Sequence, residues 1–311
     1  MSAAGTLRRS KTETVDSPGS KARGVDRPGA MPYLLILPGF VFYAAFVLAP
    51  IVGTLRLSFV QWDGLLPEKW VGFANYVQIL KDPAWWTSTT VALTFVVFSC
   101  LLPVAVALVL TGIIARTKIR GLSILRFLYF LPYVVALAVV AIAWRWLFAT
   151  NGTINLIVGA IFGKGRVVAY LGDMNLALPA LGIVAFWTMF GFVCVMLLSG
   201  TQHIPHELFE AARMDGAGPV REFLAVTLPG IRHELRVSLV LTFILALRTF
   251  DLPMVATQGG PGDKTTTPSL LMFRDVFLNL VIGKGAAIAV LVTIGIAVGV
   301  SVINRALRAE D

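Results

Sequence analysis

Glu210-Ala-Ala-Arg-Met-Asp-Gly-Ala-Gly-Pro-Val-Arg-Glu-Phe-Leu-Ala-Val-Thr-Leu-Pro229 lies in a polar, charged island, about 200–232, between two long apolar runs. A plain connector would carry no helical pattern, and this stretch carries one. Pro205 suits the first turn of a short helix, where its missing N–H costs nothing. Leu208, Ala211 and Ala212 then share a face at i, i+3 and i+4. Gly216 supplies a left-handed stop. Gly218-Pro219 opens a second helix with Val220, Phe223, Leu224, Thr227 and Leu228 on one side, and Pro229 closes the unit. A helix–glycine turn–helix with one apolar and one charged side is built to be gripped by another protein.

The surroundings of this island decide the class. Of 311 residues, 57% are apolar and 14% charged, against about 25% charged in soluble domains, so the chain reads as an all-α membrane protein. Residues 1–30 are polar and basic and predict a disordered tail. That tail is too long for an ordinary cleaved leader, so the next segment reads as a retained signal-anchor. Six apolar segments follow, at 33–60, 89–115, 122–148, 176–199, 235–257 and 283–304. Each can cross a hydrocarbon core of about 30 Å. Pro38, Pro50, Pro103, Pro132 and Pro253 within them predict kinks, either for packing or where helices line a cavity. Cys100 and Cys194 lie in apolar runs and read as small packing groups, not a disulfide.

Lysine and arginine placement gives the orientation. With the amino terminus inside, 16 of these residues fall on the cytoplasmic side and 7 on the other. Both termini and the island are therefore expected in the cytoplasm, and the net charge of +9 needs no nucleic acid. The outer segment at 61–88 carries Trp62, Trp70, Tyr76, Trp85 and Trp86, an interfacial aromatic set. The outer segment at 258–282 opens with Gly259-Gly260-Pro261-Gly262 and a threonine run, then an amphipathic piece from Leu270 to Leu280. Gly295 and Gly299 form a small-xxx-small pair suited to close helix packing.

Catalytic signatures are incomplete. His206-Glu207 and His233-Glu234 lack a second histidine at i+4, so a zinc site has no support. The Gly159–Lys164 and Gly283–Gly285 stretches lack the phosphate-loop spacing and fall outside, away from ATP. A membrane enzyme is thus disfavoured, and nucleotide hydrolysis is not expected on this chain.

Charge within the membrane is the other signal. Arg248 and Asp251 fall in the fifth segment, and a charge there defaults to function or pairing. Their i, i+3 spacing suits one helix face, which leaves open a structural ion pair or a polar cavity wall. Trp187 and Thr188 of the fourth segment are candidates for the same cavity. An aromatic plane suits the C–H face of a sugar ring, and packing is the alternative.

The island resembles the cytoplasmic EAA loop of permease subunits of binding-protein-dependent ABC importers, in the carbohydrate branch (maltose-, glycerol-3-phosphate- and multiple-sugar-type). Glu210, Ala211, Ala212, Asp215, Gly216, Ala217, Phe223, Leu228 and Pro229 match at the expected spacing. Pro38–Phe59, Val71–Tyr76 and Phe250-Asp251 followed by Gly259-Gly260-Pro261 resemble further pieces of that branch. Val91-Ala92, where Asn-Thr is usual, and Lys284, where an apolar or aromatic residue is usual, depart from it. The resemblance implies a type I ABC importer permease fold of six transmembrane helices. Its parts would be a tail over 1–31, a first helix over 32–60, an outer loop over 61–88, a five-helix core over 89–304 and a cytoplasmic end over 305–311.

It also implies a role. The chain would pass a sugar or polyol, or alternatively glycerol-3-phosphate or another anionic small solute, across the bacterial cytoplasmic membrane. Glu210, Ala211, Ala212, Asp215, Gly216 and Ala217 would dock on a cytoplasmic ABC ATPase dimer, with Glu210 in polar contact and Gly216 permitting the turn. Arg248, Asp251, Trp187 and Thr188 are the substrate-pathway candidates. The other partners implied are a second homologous permease subunit, an extracytoplasmic solute-binding protein and membrane lipid. No cofactor is expected on this chain, because ATP and magnesium belong to the ATPase.

Overall fold

The computed structural model describes residues 31–114, 121–163 and 167–308. The expected disordered tail and the last residues of the 305–311 end lie outside them, as do Arg116, Lys118, Arg120, Lys164 and Arg166. Two units are distinguished, residues 1–50 and 51–311. In the first, α1 (Met31–Tyr43) contains Pro38 and passes into a π-helical turn over Ala44–Leu48, where Phe42 and Phe46 stack. From there the chain enters α2 (Ala49–Leu57).

In the second unit a two-residue antiparallel ladder, β1 (Val60–Gln61) with β2 (Lys69–Trp70), precedes α3 (Ala74–Lys81). The long second span follows as α4 (Pro83–Val96), a π turn over Val97–Leu101, and α5 (Leu102–Ile114). The next helices are α6 (Leu122–Val134), α7 (Leu137–Leu147), α8 (Thr153–Phe162) and α9 (Ala177–Thr201). The island forms α10 (His206–Met214), α11 (Pro219–Glu222), a π turn over Phe223–Thr227 and α12 (Leu228–Gly230). The remainder is α13 (Arg232–Leu247), α14 (Asp251–Thr257), α15 (Pro268–Phe273), a π turn over Arg274–Leu278, and α16 (Ile282–Ala306).

Among the described residues, four helices are long and apolar enough to cross a membrane, and two bent pairs bring the number to 6 if each pair is one span. The differences from the sequence expectation are local and have physical causes. The second span begins at Pro83, not 89, because the Asp82 carboxylate accepts from the Ala84 N–H at 2.9 Å and Pro83 occupies the first turn. The third apolar segment bends by 94° between α6 and α7. The fifth is interrupted at Arg248–Phe250 and bends by 41° between α13 and α14.

Three of the four π turns sit where a following proline would collide with the carbonyl four residues back. Pro50, Pro103 and Pro229 point at Phe46, Ser99 and Ala225, each inside a π turn. Widening to i→i+5 bonds, such as Leu102 N–H to Val97 O, absorbs the ring without breaking the helix.

Span packing relies on close approaches to glycine. Gly182 lies under the Phe98 ring, and Gly299 lies under Phe243 of α13. Gly191 of α9 lies so near the Tyr129 carbonyl of α6 that any side chain would collide with it. Gly295 meets nothing within 4 Å, so only one member of the expected pair makes a contact of this kind. One buried cluster joins Phe95, Val140, Leu181, Val184 and Leu252. A second joins Ala107, Val193, Cys194, Leu197, Ile231 and Leu235 near the island. Cys100 and Cys194 are free, buried thiols.

Lys284, in the first turn of α16, reaches Asp82 Oδ2 at 3.0 Å and Asp275 Oδ2 at 3.3 Å. A half-buried cation thereby ties the start of the second span, the 274–278 turn and the last helix together.

Candidate functional site

Two regions carry the expected residues, and they are built differently. In the island, α10 ends in a double-bonded cap. The Ala217 N–H donates to the Ala212 carbonyl at 2.9 Å, and the Gly216 N–H donates to the Arg213 carbonyl at 3.0 Å. This pattern satisfies the last carbonyls of a helix through a left-handed residue, and Gly216 has φ +73°. A Cβ at Gly216 would meet nothing within 4 Å. Glycine is therefore favoured there by backbone conformation, not by space.

The face assignment within α10 differs from the sequence reading. Phe209 is the inward anchor, 6% exposed, while Leu208 and Met214 are 52% and 89% exposed. Leu208, Phe209, Ala211 and Ala212 fit two helical phases, and the larger ring took the inward one. Glu210, Ala211 and Asp215 are exposed with Met214, and Ala212 is half-buried. His206 Nδ1 lies 3.2 Å from Glu210 Oε1 on the surface. In the second half Val220 and Leu224 are exposed while Thr227 is buried, so the side expected to be uniformly apolar is split.

The island also contains a pair that the sequence reading did not single out. Arg213 donates through Nε to Glu222 Oε2 at 3.0 Å and through Nη2 to Oε1 at 3.3 Å. Glu222 is fully buried and Arg213 is 45% exposed at its side chain. The carboxylate holds the Arg213 guanidinium above its ordinary value. Next to Glu222, Phe223 covers Gly112 at the end of the second span, and a Cβ on Gly112 would fall 2.8 Å from the ring. The opposite charges nine positions apart were the available signal, but the Gly-Pro turn between them hid their approach.

The second region is a cavity of about 240 Å³ among the spans, lined by Ser99, Thr188, Met189, Arg248, Thr249 and Asp251, among others. It brings together three of the four pathway candidates. Trp187 is outside its lining, set edge-on against Trp144 at 5.5 Å. Thr188 is buried and donates back to the Ala185 carbonyl at 2.9 Å.

Arg248 and Asp251 do not pair with each other. Helix α13 stops at Leu247, so the shared face assumed from i, i+3 spacing does not exist. Arg248 caps the negative end of α13 and Asp251 stands in the first turn of α14, each with the sign that suits its helix end. Both are exposed and, among the described residues, neither has a carboxylate or cationic partner.

Beyond this break the 258–267 segment is tightly organised. Gln258, Gly259, Gly262 and Asp263 have positive φ. Thr265, Thr266 and Thr267 are buried. Thr267 donates to the Thr249 carbonyl at 2.7 Å, fastening the segment to the helix break. Arg274 reaches Asp263 Oδ1 and the Gln258 carbonyl, both at 2.6 Å. The Arg274 hydrogen bond holds the Asp263 carboxyl below the usual carboxylate range, against the opposing effect of burial.

Comparison with known proteins places these features in a family. The profile of the binding-protein-dependent transport system inner membrane component matches residues 28–309. The trehalose/maltose transport system permease protein MalF of Thermococcus litoralis is 35% identical over 268 residues, covering 85% of this chain and 89% of that protein. The sn-glycerol-3-phosphate transport system permease protein UgpA of Yersinia pestis is 31% identical over 284 residues, covering 89% and 95%. In a crystal structure of a bacterial ABC transporter involved in the import of the acidic polysaccharide alginate, a chain superposes with a TM-score of 0.77 at 21% identity, covering 89% of this chain and 95% of that one.

The fold is thus that of an ABC importer permease, and the chain is the permease component, with no ATPase domain. Its working partners include a periplasmic binding protein and an ATPase. This chain belongs to the family of inner-membrane components of binding-protein-dependent transport systems.

Proposed function

We propose that the chain carries a sugar or related polyol across the cytoplasmic membrane. It would act as one of two homologous permease subunits, with both termini and the 200–232 island in the cytoplasm. ATP, with magnesium, is bound on a separate ATPase dimer and hydrolysed there, and that dimer grips the island. The observation that carries this reading is the exposed face of α10. Glu210, Ala211, Met214 and Asp215 are exposed on a helix anchored behind by Phe209, as a docking surface requires. The cavity at Thr188, Arg248 and Asp251 supports a polar cargo, because it offers a guanidinium donor and a carboxylate acceptor to hydroxyl groups.

A second reading, glycerol-3-phosphate or another anionic solute, is favoured by Arg248 having no carboxylate partner among the described residues. One experiment addresses both. The importer is purified with its subunits, and the recovered binding protein is screened by calorimetry against neutral sugars and glycerol phosphates. Uptake of the ligand so found is then measured with Arg248→Gln. A neutral cargo whose uptake affinity falls only a few-fold supports the first reading. An anionic cargo whose uptake is lost supports the second. Unchanged affinity in a normally assembled complex removes Arg248 from the site.

A further inference from the structure

A helix gripped by an ATPase moves the spans only if the island passes force on without folding at its own turn. The Gly216–Gly218 stretch is a weak point, since glycine resists bending least. Across it, among the described residues, Arg213 on α10 is bonded to Glu222 at the end of α11. Both guanidinium bonds land on one carboxylate, the two-point geometry that fixes direction as well as distance. Glu222 is buried and the next residue, Phe223, rests on Gly112 of the second span. Arg213 lines the same groove as Val109, Gly112, Pro219 and Phe223.

We propose that the Arg213–Glu222 pair is a positioning element that makes the two halves of the island one rigid lever, delivering motion of α10 to the second span through Phe223 on Gly112. This rests on the reading that α10 is the ATPase contact. It adds where the rigidity comes from and which span receives the motion first.

The test needs no knowledge of the cargo. Spin labels at Val109→Cys and Met214→Cys, both exposed, are placed in the assembled importer. The distance between them is recorded without nucleotide and with ATP and vanadate. With Arg213 and Glu222 intact, one narrow distance is expected in both states. Arg213→Gln and Glu222→Gln should each reduce the population at that distance roughly tenfold, the scale of a lost charge-assisted bond. The double variant should be no worse than either single, because the pair acts as a unit.

Narrow distances in both single variants, or broadening that adds in the double, would overturn the proposal. A merely structural role would lower the yield of complex and leave the distance of assembled molecules unchanged. If Glu222→Gln does not assemble, Arg213→Lys is read in its place. That variant keeps the charge but loses the fork, and intermediate broadening is expected; a narrow distance again overturns the proposal. Cross-linking of Met214→Cys to the ATPase is scored separately. Its absence refutes the docking reading, whereas the distance data judge the lever alone.

Discussion

At the residue scale, the motif positions divide by the physical reason each residue type is needed. Ala212 and Ala217 supply the carbonyl and N–H of the cap, so their small side chains matter less than their backbone geometry. Gly216 supplies φ +73° in open space. Gly216→Val should therefore cost about 1–2 kcal/mol of local conformation without any clash. The expected result is a complex that assembles and hydrolyses ATP but takes up little solute per ATP, with Gly216→Asn milder; full uptake by the valine variant would refute this role. Gly191 is the opposite case, where space and not φ is limiting. Gly191→Ala would drive a methyl into the Tyr129 carbonyl, and an overpacked contact of this kind costs about 1–3 kcal/mol. A lower melting temperature in detergent is expected, and an unchanged melt would show that α6 can move aside. The glycine at 216 was legible from sequence because it ends a helical pattern. The need at 191 was not, because nothing in an apolar run marks which glycine faces a neighbouring backbone.

At the element scale, span existence was legible and span shape only in part, since the prolines marked the distorted turns before Pro50 and Pro103 but not the breaks. Hydropathy averages over some 18 residues, and the interruptions at Val135-Ala136 and at Arg248–Phe250 fall inside strongly apolar windows without a glycine. The fifth-span break matters most, because it separates Arg248 from Asp251 and turns an expected ion pair into two independent groups. The phase of α10 was ambiguous for a related reason, since Leu208, Phe209, Ala211 and Ala212 satisfy two faces. The 258–267 segment holds an acid-sensitive contact. The Asp263 carboxyl is held below its ordinary value in the folded chain. Its contribution to stability is therefore complete above about pH 4 and is lost as pH falls through the folded value. Deuterium exchange, corrected for intrinsic rate, should rise across 258–267 below about pH 4 and rise at neutral pH in Arg274→Gln. Exchange insensitive to both changes would mean that the threonine bonds suffice.

At the scale of the whole molecule, a few long-range ties hold elements far apart in sequence. Lys284 joins Asp82 and Asp275 while only 13% exposed at its side chain. Lys284→Met would leave two carboxylates facing each other and should destabilise the fold by about 3 kcal/mol, as breaking a buried pair does. Adding Asp275→Asn should recover part of the loss in a detergent melt, and no recovery would place the defect elsewhere. Another consequence concerns the lipid. The second span runs unbroken from Pro83 to Ile114, and an 18-residue stretch within it has a mean hydropathy of 2.7. At 32 residues it is about 48 Å long, against a hydrocarbon slab of about 30 Å. The helix must tilt or carry turns beyond the slab, and Gly112, the seat of Phe223, lies at its far end. Bilayer thickness therefore sets how far the end of the span stands from the membrane surface. The same importer in short-chain and long-chain lipid should differ in how strongly the state of its ATPase is felt by the spans, which makes the membrane itself a component of the gearing.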